Sequence, residues 1–214
     1  MFVSGKQGGN RTMDKKKVGI LGGTFDPVHL GHLILAENAY SQFGLDVVLL
    51  MPSGNPPHKS AGEITSKEHR NTMVQLAIDD NRHLKLSVFE QERDGYIYTA
   101  DTLKLLRENN EDCDYYFIVG GDALMSMDKW YHPERIFAQA VVLAAVRDDV
   151  DDVALKERAE FYKQNYNADV RLLKIPAVEI SSSVIRDRVN AGKSIKYLVP
   201  KDVERYIYNN KLYS

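Results

Sequence analysis

The 214-residue chain contains a single cysteine, Cys113, so it can form neither an internal disulfide nor a cysteine-cluster metal site. It has no apolar run approaching the roughly 20 residues that a membrane-spanning helix requires. Its N-terminal stretch also has no hydrophobic segment of the signal-peptide type. These absences favour a soluble protein of a reducing compartment, and we expect it to be cytoplasmic.

Neither sign of charge is in excess, since 28 Lys and Arg residues face 30 Asp and Glu residues and give a net charge of −2. Without a basic field, nucleic acids and anionic membranes are not expected partners. The length and the 43% hydrophobic content suit one domain of catalytic size. We assign it to residues 18–214 and treat the polar residues 1–17 as a leader, disordered or left from cloning. A homodimer is compatible with the sequence but is not indicated by it.

Short apolar runs of strand type alternate with stretches of helical periodicity along the chain. The predicted strands are 18–21, 47–51, 84–89, 115–119, 140–146 and 170–175. The predicted helices are 30–43, 66–79, 99–109 with Thr99 as a cap, 123–138 with a new segment at Pro133, 152–164, 181–191 and 201–209. This alternation predicts an α/β, Rossmann-like, doubly wound parallel sheet with helices on both faces and a small C-terminal helical portion. Ligands should then bind at the carboxyl ends of the strands.

Residues 22–32, GGTFDPVHLGH, lie where the first predicted strand gives way to the first helix. Gly22 and Gly23 let the backbone approach a ligand closely, and His29 and His32 stand at a helix start, whose positive end favours phosphate. Two histidines alone could be a loop residue and a satisfied helix-start residue, but this context favours an anion cradle. The glycine spacing is not that of the dinucleotide fingerprint, and the segment has no lysine, which a Walker loop requires.

A second candidate segment, residues 180–186 with the sequence ISSSVIR, stands at the start of a late helix. Hydroxyls and free amides at a helix start bind phosphate, and Arg186 one turn further adds a planar fork of donors. A serine N-cap followed by a solvated arginine is the alternative interpretation of the same residues.

The two segments together resemble the HxGH nucleotidyltransferase superfamily, whose members transfer a nucleotidyl group from a nucleoside triphosphate to a phosphate or similar acceptor. The resemblance implies that His29 and His32 contact the triphosphate and stabilise charge at the α-phosphate, and that ISSSVIR forms a second phosphate site. The residues implied for ATP are Gly22, Gly23, Thr24, Phe25, His29, His32, Gly120, Asp122, Ile180, Ser181, Ser182 and Arg186. Class I aminoacyl-tRNA synthetases carry a comparable pair of motifs, but this chain has no room for their anticodon-binding region.

Two further segments bear on the acceptor. Residues 52–59, PSGNPPHK, follow the second strand and offer polar donors toward an anionic ligand, although a rigid surface loop has the same composition. Residues 120–131, GGDALMSMDKWY, place Asp122 after a strand, where a carboxylate suits ribose hydroxyls. Trp130 offers a flat face to an aromatic ring, but a single tryptophan is more often a core residue. Arg147 could add charge near the phosphates, and a surface ion pair is equally compatible with it.

The whole set, with Arg70 and Met73 of HRNTM and with YTADTL, resembles the bacterial nicotinate-nucleotide adenylyltransferases from about Val18 to the terminal YLVPKDVERYI. The resemblance implies that Thr99, Trp130 and Tyr131 hold nicotinate. The residues implied for nicotinate mononucleotide are Ser53, Asn55, His58, Lys59, Thr99, Trp130, Tyr131 and Arg147. Ser183 and Gly121 depart mildly from the family pattern, and neither change removes a needed donor.

The expected reaction joins ATP to nicotinate mononucleotide in NAD biosynthesis and releases pyrophosphate. His29, His32, Lys59 and Arg186 are the expected catalytic residues, which offset negative charge while Mg²⁺ is held by the phosphates without protein ligands. Another acceptor, such as nicotinamide mononucleotide or phosphopantetheine, and a cytidylyltransferase that uses CTP remain alternatives. A regulator that keeps the nucleotide cradle without chemistry is the alternative from another class.

Overall fold

The computed structural model describes residues 15–54, 64–93, 95–147 and 152–214. Within these residues the strands are β1 (Lys16–Gly23), β2 (Val47–Pro52), β3 (Leu84–Leu86), β4 (Cys113–Val119), β5 (Ala140–Arg147) and β6 (Val170–Ile175). The helices are α1 (Leu30–Phe43), α2 (Lys67–Ile78), α3 (Thr99–Asn109), α4 (Gly121–Ser126), α5 (Pro133–Gln139), α6 (Val153–Tyr166), α7 (Ser182–Asn190) and α8 (Lys201–Asn209). In the same part of the chain, no helix combines the length and the apolar character needed to cross a membrane.

The six strands form one sheet in the order β3-β2-β1-β4-β5-β6, and every neighbouring pair is parallel. The chain moves outward from β1 in one direction and then returns to build the other half from β4. In such a sheet the loops after the two central strands diverge and leave a crevice for ligands at the carboxyl edge. The predicted α/β, doubly wound parallel fold is confirmed.

Two apolar clusters cover the two faces of this sheet. One packs strand residues such as Val48 and Leu143 against α1, α2, α7 and α8. The other packs residues such as Ile20 and Val142 against α3, α5 and α6. Because the central strands are buried from both sides, they consist of nearly continuous apolar residues, which is the pattern that made them predictable.

Apart from shifts of one or two residues at other element ends, the structure differs from the predicted elements at four places. β3 ends at Leu86, after which the chain turns, so residues 87–89 do not extend the strand. Thr99 is the first residue of α3 and not its N-cap. The N-cap is Tyr98, whose side chain makes no capping hydrogen bond. The predicted helix 123–138 is divided into α4, a 3₁₀ turn at Met127–Lys129, and α5. β1 begins at Lys16, two residues inside the range assigned to the leader, and residues 1–14 lie outside the described ones.

The triplet Gly192-Lys193-Ser194 has the residue types that end a Walker loop. It follows helix α7 and not a strand, and Gly192 has a φ of 64°, where its N–H donates to the carbonyl of Val189 at 2.9 Å. The triplet is therefore the turn that ends a helix, and glycine suits it because other residues rarely adopt this φ.

The segment between α4 and α5, which leads to Trp130, is held by Tyr162 of α6. The Tyr162 ring is fully buried, and its hydroxyl donates to the carbonyl of Leu124 at 2.8 Å. The same hydroxyl accepts the backbone N–H of Asp128 at 3.0 Å. Arg158 of α6 pairs with the Asp128 carboxylate and lies over the Tyr162 ring. One buried phenol therefore bonds both sides of the turn from α4 into the 3₁₀ segment.

We expect Tyr162→Phe to lower the free energy of unfolding by about 1–3 kcal/mol, since it leaves buried backbone groups without their partner. Urea denaturation at neutral pH measures the change. Tyr208→Phe on the exposed face of α8 is the control and should stay close to the unsubstituted chain. Equal stability of the two variants would contradict the role given to the Tyr162 hydroxyl.

Candidate active site

A cavity of about 830 Å³ opens at the carboxyl edge of the sheet, between the ends of β1 and β4. It is lined on one side by the glycines that end β1 and on the other by residues that follow β4 and begin α3. The sequence-predicted site residues in its wall are Gly22, Gly23, Thr24, His32, Ser53, Thr99, Gly120, Trp130 and Tyr131. The cavity thus brings residues expected for ATP and residues expected for the acceptor into one space.

The two histidines are stacked on each other. His29 occupies the N-cap of α1, and its ring centroid lies 3.7 Å from that of His32 with an angle of 24° between the planes. The backbone N–H of His29 donates to Nδ1 of His32 at 3.2 Å. Because Nδ1 accepts this bond, the proton of a neutral His32 ring is on Nε2, which makes Nε2 a donor. The buried Phe25 supports the pair with an edge contact to His32, at 4.8 Å between centroids.

Burial makes both rings neutral in the free protein. Desolvation lowers the pKa of His29 to about 4, and desolvation together with the neighbouring His29 lowers the pKa of His32 to about 3. At neutral pH the rings therefore offer hydrogen bonds and not positive charge. This changes the expectation that the pair offsets negative charge by itself.

Two atoms at the start of α1, Nδ1 of His29 and the backbone nitrogen of Leu30, differ in their hydrogen bonding. Nδ1 of His29 is buried and has no hydrogen-bond partner among the described residues. Nδ1 faces the first turn of α1, 3.0 Å from where a Cβ on Gly31 would be, and His29 does not line the cavity. The N–H of Leu30, by contrast, donates to the carbonyl of Leu198 at 3.0 Å, so this amide of the helix start is already engaged.

The ISSSVIR segment lies against the loop of residues 24–29. Ser181 caps α7 by accepting the N–H of Val184 at 3.2 Å, and Ser182 donates to the carbonyl of Pro27 at 2.9 Å. Arg186 donates from Nη1 to the carbonyl of Asp26 at 2.8 Å and is partly buried. Ser181 is therefore the N-cap of α7, as the alternative interpretation has it. Arg186, by contrast, is bonded to the loop of residues 24–29 and is not a freely solvated side chain.

Sequence reasoning missed the buried charges beneath the same loop. Arg70 of α2 donates to the carbonyls of Thr24 at 2.8 Å, Ser53 at 3.0 Å and Thr65 at 3.1 Å. Asp26 is 3% exposed, and burial lowers the pKa of Arg70 while the Asp26 carboxylate opposes that change. These contacts join the loops that follow β1 and β2.

A signal for the burial of Arg70 was present in the sequence. Arg70, Met73, Val74 and Ala77 are spaced as i, i+3, i+4 and i+7 on α2, and all four are buried. This spacing is typical of the inner face of a helix. An arginine on such a face must find several acceptors, because its desolvation is costly without them.

The aromatic residues expected for the acceptor lie in the cavity wall. Trp130 is partly buried and lies edge-on to Phe117 of β4, with 6.3 Å between the ring centroids. Tyr131 is 46% exposed and stacks on Tyr98 at 4.2 Å, beside the start of α3. Trp130 is therefore a wall residue of the cavity that also contains His32, and not a residue sealed in the core.

Glu90 is a second residue that sequence reasoning missed. It lines the cavity, its carboxylate accepts the Thr102 hydroxyl at 2.9 Å, and burial raises its pKa while a hydrogen bond from Gly54 opposes the rise. A Cβ at Gly54 would lie 2.5 Å from the backbone oxygen of Glu90, so only glycine permits this approach. The position of Glu90 thus depends on the close approach of two backbones, which composition alone could not reveal.

Some predicted residues stand apart from the cavity wall or outside the described structure. Asp122 is exposed in the first turn of α4 and does not line the cavity. Ile180 lies beside α1, with its carbonyl oxygen 3.7 Å from where a Cβ on Gly31 would be. The cavity wall also does not include the predicted residues Phe25, His29, Ser181, Ser182 and Arg186. Asn55, His58, Lys59 and the side chain of Arg147 lie outside the described residues, although Arg147 ends β5.

The fold and the two phosphate-type segments at one sheet edge define a nucleotidyltransferase. In agreement, the sequence profile of the family described as Cytidylyltransferase-like matches residues 20–188, from β1 into α7, and the chain belongs to that family. A protein of Lachnoclostridium phytofermentans named "Probable nicotinate-nucleotide adenylyltransferase" is 43% identical over 198 residues, which cover 92% of this chain and 99% of the relative. One with the same name from Thermoanaerobacter sp. (strain X514) is 40% identical over 92% of this chain and 94% of its own. The chain belongs to the nicotinate-nucleotide adenylyltransferases.

Solved structures show the same architecture. The Plasmodium falciparum nicotinic acid mononucleotide adenylyltransferase complexed with NaAD superposes with a TM-score of 0.76 over 92% of this chain and 97% of that chain. The two sequences are 21% identical, so the likeness supports the fold.

The low pKa values of the histidine pair predict how stability depends on pH. The unfolded chain binds protons at these rings below about pH 6.5, whereas the folded protein does so only near pH 4 and pH 3. The free energy of unfolding should therefore fall as the pH is lowered from about 6.5 toward 4, because protons then favour the unfolded state.

Urea denaturation at pH 7 and pH 5 measures this fall. In His32→Asn the fall should be clearly smaller, because one titrating ring has been removed while an oxygen remains to accept the His29 N–H. An equal fall in both proteins would show that the buried rings do not account for the pH dependence.

Proposed function

We propose that this chain transfers the adenylyl group of ATP to nicotinate mononucleotide in the cavity at the carboxyl edge of its sheet. The products are nicotinate adenine dinucleotide, a precursor of NAD, and pyrophosphate. One observation carries the placement: the glycines and His32 expected for ATP line the same cavity as Thr99, Trp130 and Tyr131, expected for the acceptor. Two substrates bound to these residues would have their reacting phosphates in the same cavity.

In this proposal, a phosphate oxygen of nicotinate mononucleotide attacks the α-phosphorus of ATP. A new P–O bond forms, the bond to the bridging oxygen of the β-phosphate breaks, and pyrophosphate leaves with the electron pair. The acceptor phosphate is ionised at neutral pH, so the attack needs no protein base and forms no covalent intermediate with the enzyme. Catalysis then consists mainly of positioning and of stabilising charge.

The histidines and Arg186 are proposed as the residues that act on the triphosphate. The Nε2–H of neutral His32 can bond a phosphate oxygen, His29 supports that ring by stacking on it, and Arg186 supplies permanent charge beside the 24–29 loop. The backbone of Gly22, Gly23, Thr24 and Phe25 and the start of α7 would complete the ATP side. Lys59 is proposed to supply charge from the acceptor side.

The nicotinate ring is proposed to stack on Trp130, near Thr99 and Tyr131. Ser53 supports a polar group at this end, because its buried Oγ has no partner among the described residues and its backbone is bonded to β1 and to Arg70. Asn55, His58 and Arg147 are proposed to contact the mononucleotide, and Asp122 and Gly120 the nucleotide of ATP.

Mg²⁺ is proposed to enter with ATP, bound to its phosphate oxygens, where it would neutralise part of the charge on pyrophosphate as that group leaves. Across residues 15–54, 64–93, 95–147 and 152–214, no three His, Cys, Asp or Glu side chains are grouped so that they could hold a metal. No protein ligand is proposed for the ion.

Pyrophosphate release with ATP and a series of acceptors tests the proposed substrate. We expect kcat/KM with nicotinate mononucleotide to exceed that with nicotinamide mononucleotide by about tenfold or more, because a site built for a carboxylate rejects the amide. Phosphopantetheine and CTP serve as controls for the related reactions. A tenfold preference for the amide would overturn the choice of acceptor, and ATP binding without pyrophosphate from any acceptor would favour a regulator.

His32→Ala should lower kcat by a factor on the order of 10² to 10⁴, as expected when a group that stabilises transition-state charge is removed. His32→Asn retains an acceptor for the His29 N–H and controls for loss of the helix start. Both variants should give the far-ultraviolet circular dichroism of the unsubstituted chain. Unchanged turnover in folded variants would remove His32 from the mechanism.

A further inference from the structure

A tyrosine from the C-terminal segment, residues 198–214, reaches the loop that carries the proposed phosphate site. Tyr213 follows α8, and its hydroxyl donates to Oδ1 of Asp26 at 2.6 Å, across 187 residues of sequence. Burial and the Asp26 carboxylate raise the pKa of Tyr213 above its ordinary range, so the hydroxyl remains a donor at neutral pH. The contact is short and involves a carboxylate, which places it among the stronger hydrogen bonds of a protein.

Asp26 is held from three directions. Its Oδ2 accepts the backbone N–H of Thr65 at 3.1 Å, and its Oδ1 accepts the Tyr213 hydroxyl. Its own backbone carbonyl accepts Nη1 of Arg186 at 2.8 Å. Because Asp26 is 3% exposed, water cannot readily replace a lost partner. The carboxylate that Tyr213 contacts and the carbonyl that holds Arg186 thus belong to one buried residue.

The same segment of the chain also contacts the start of α1, where the N–H of Leu30 donates to the carbonyl of Leu198. The ring of Tyr213 packs at the edge of the core beside Met73, with its hydroxyl 4.0 Å from the Met73 sulfur. These contacts place the hydroxyl against Asp26 without any help from a ligand.

We infer that Tyr213 is a positioning residue for adenylyl transfer, which acts through Asp26 to hold Arg186 and the 24–29 loop in the geometry that receives the triphosphate. The inference rests on the proposed function. It assigns the residues expected for the nicotinate ring no dependence on Tyr213, since Thr99, Trp130 and Tyr131 belong to other elements. Its effect should therefore appear in kcat/KM for ATP, with little change in the KM for the mononucleotide.

The chain offers a matched control for the loss of a tyrosine hydroxyl. Tyr206 of α8 also bonds α2, through its hydroxyl and Nδ1 of His69 at 2.8 Å, but it does not contact Asp26. Tyr213→Phe and Tyr206→Phe therefore each remove one hydroxyl hydrogen bond between the C-terminal segment and the rest of the fold. A purely structural role predicts similar effects of the two substitutions on activity.

The experiment measures steady-state kinetics of both variants with each substrate varied, together with their urea denaturation. We expect Tyr213→Phe to lower kcat/KM for ATP by about ten- to a hundredfold, as small misplacements of catalytic groups do. The KM for nicotinate mononucleotide should stay within about twofold, and Tyr206→Phe should leave both parameters near those of the unsubstituted enzyme.

Asp26→Asn supplies a second variant. If Tyr213 acts through Asp26, adding Tyr213→Phe to Asp26→Asn should cause little further loss, whereas independent effects would multiply. Equal losses in Tyr213→Phe and Tyr206→Phe, a multiplicative double variant, or an unchanged kcat/KM for ATP would each overturn the inference. Failure of the proposed function would appear separately, as an unsubstituted chain that releases no pyrophosphate.

Discussion

The structure of the site depends on how one buried loop satisfies its backbone. Residues 25–29 are all buried and follow the end of β1. Their carbonyl groups are beyond the hydrogen bonds of the sheet and have little access to water, so they need other donors. Side chains supply the donors: Arg70 to Thr24, Arg186 to Asp26 and Ser182 to Pro27. Two of the three donors are charged, so their hydrogen bonds are stronger than those between neutral groups.

The hydrogen bonds to this loop join elements that are distant in sequence. Arg70 belongs to α2, Ser182 and Arg186 belong to α7, and both helices pack on the same face of the sheet as α1. A loop held from both sides cannot relax independently of those helices, which keeps the histidine pair and the cavity wall in a preformed arrangement. Preformed donors are what electrostatic stabilisation of a transferring phosphoryl group requires, because reorganisation during the reaction is then small.

The sequence predicted the sheet and placed nine residues that line its central crevice, because buried parallel strands and glycine turns leave local patterns. The bounds of α1 follow directly from periodicity, whereas β3 was predicted three residues too long since 87–89 are apolar enough for a strand but turn away. The burial of Arg70 could be predicted from its spacing on α2, but the carbonyl groups that accept its hydrogen bonds could not. The bond between Asp26 and Tyr213 was not predictable, since no local pattern connects residues 187 positions apart.

The neutral histidines explain how such a site can remain stable when it is empty. Two protonated rings stacked at 3.7 Å inside the protein would repel each other and would lack solvation, and the lowered pKa values show that the fold avoids that state. In the proposed reaction, the neutral ring of His32 keeps Nδ1 as the acceptor of the His29 N–H and presents Nε2–H as a donor to the phosphates. Arg186, anchored to the Asp26 carbonyl, is proposed to carry the permanent charge. The proposed site thus combines a fixed charge with a neutral donor that is in place before the substrate binds.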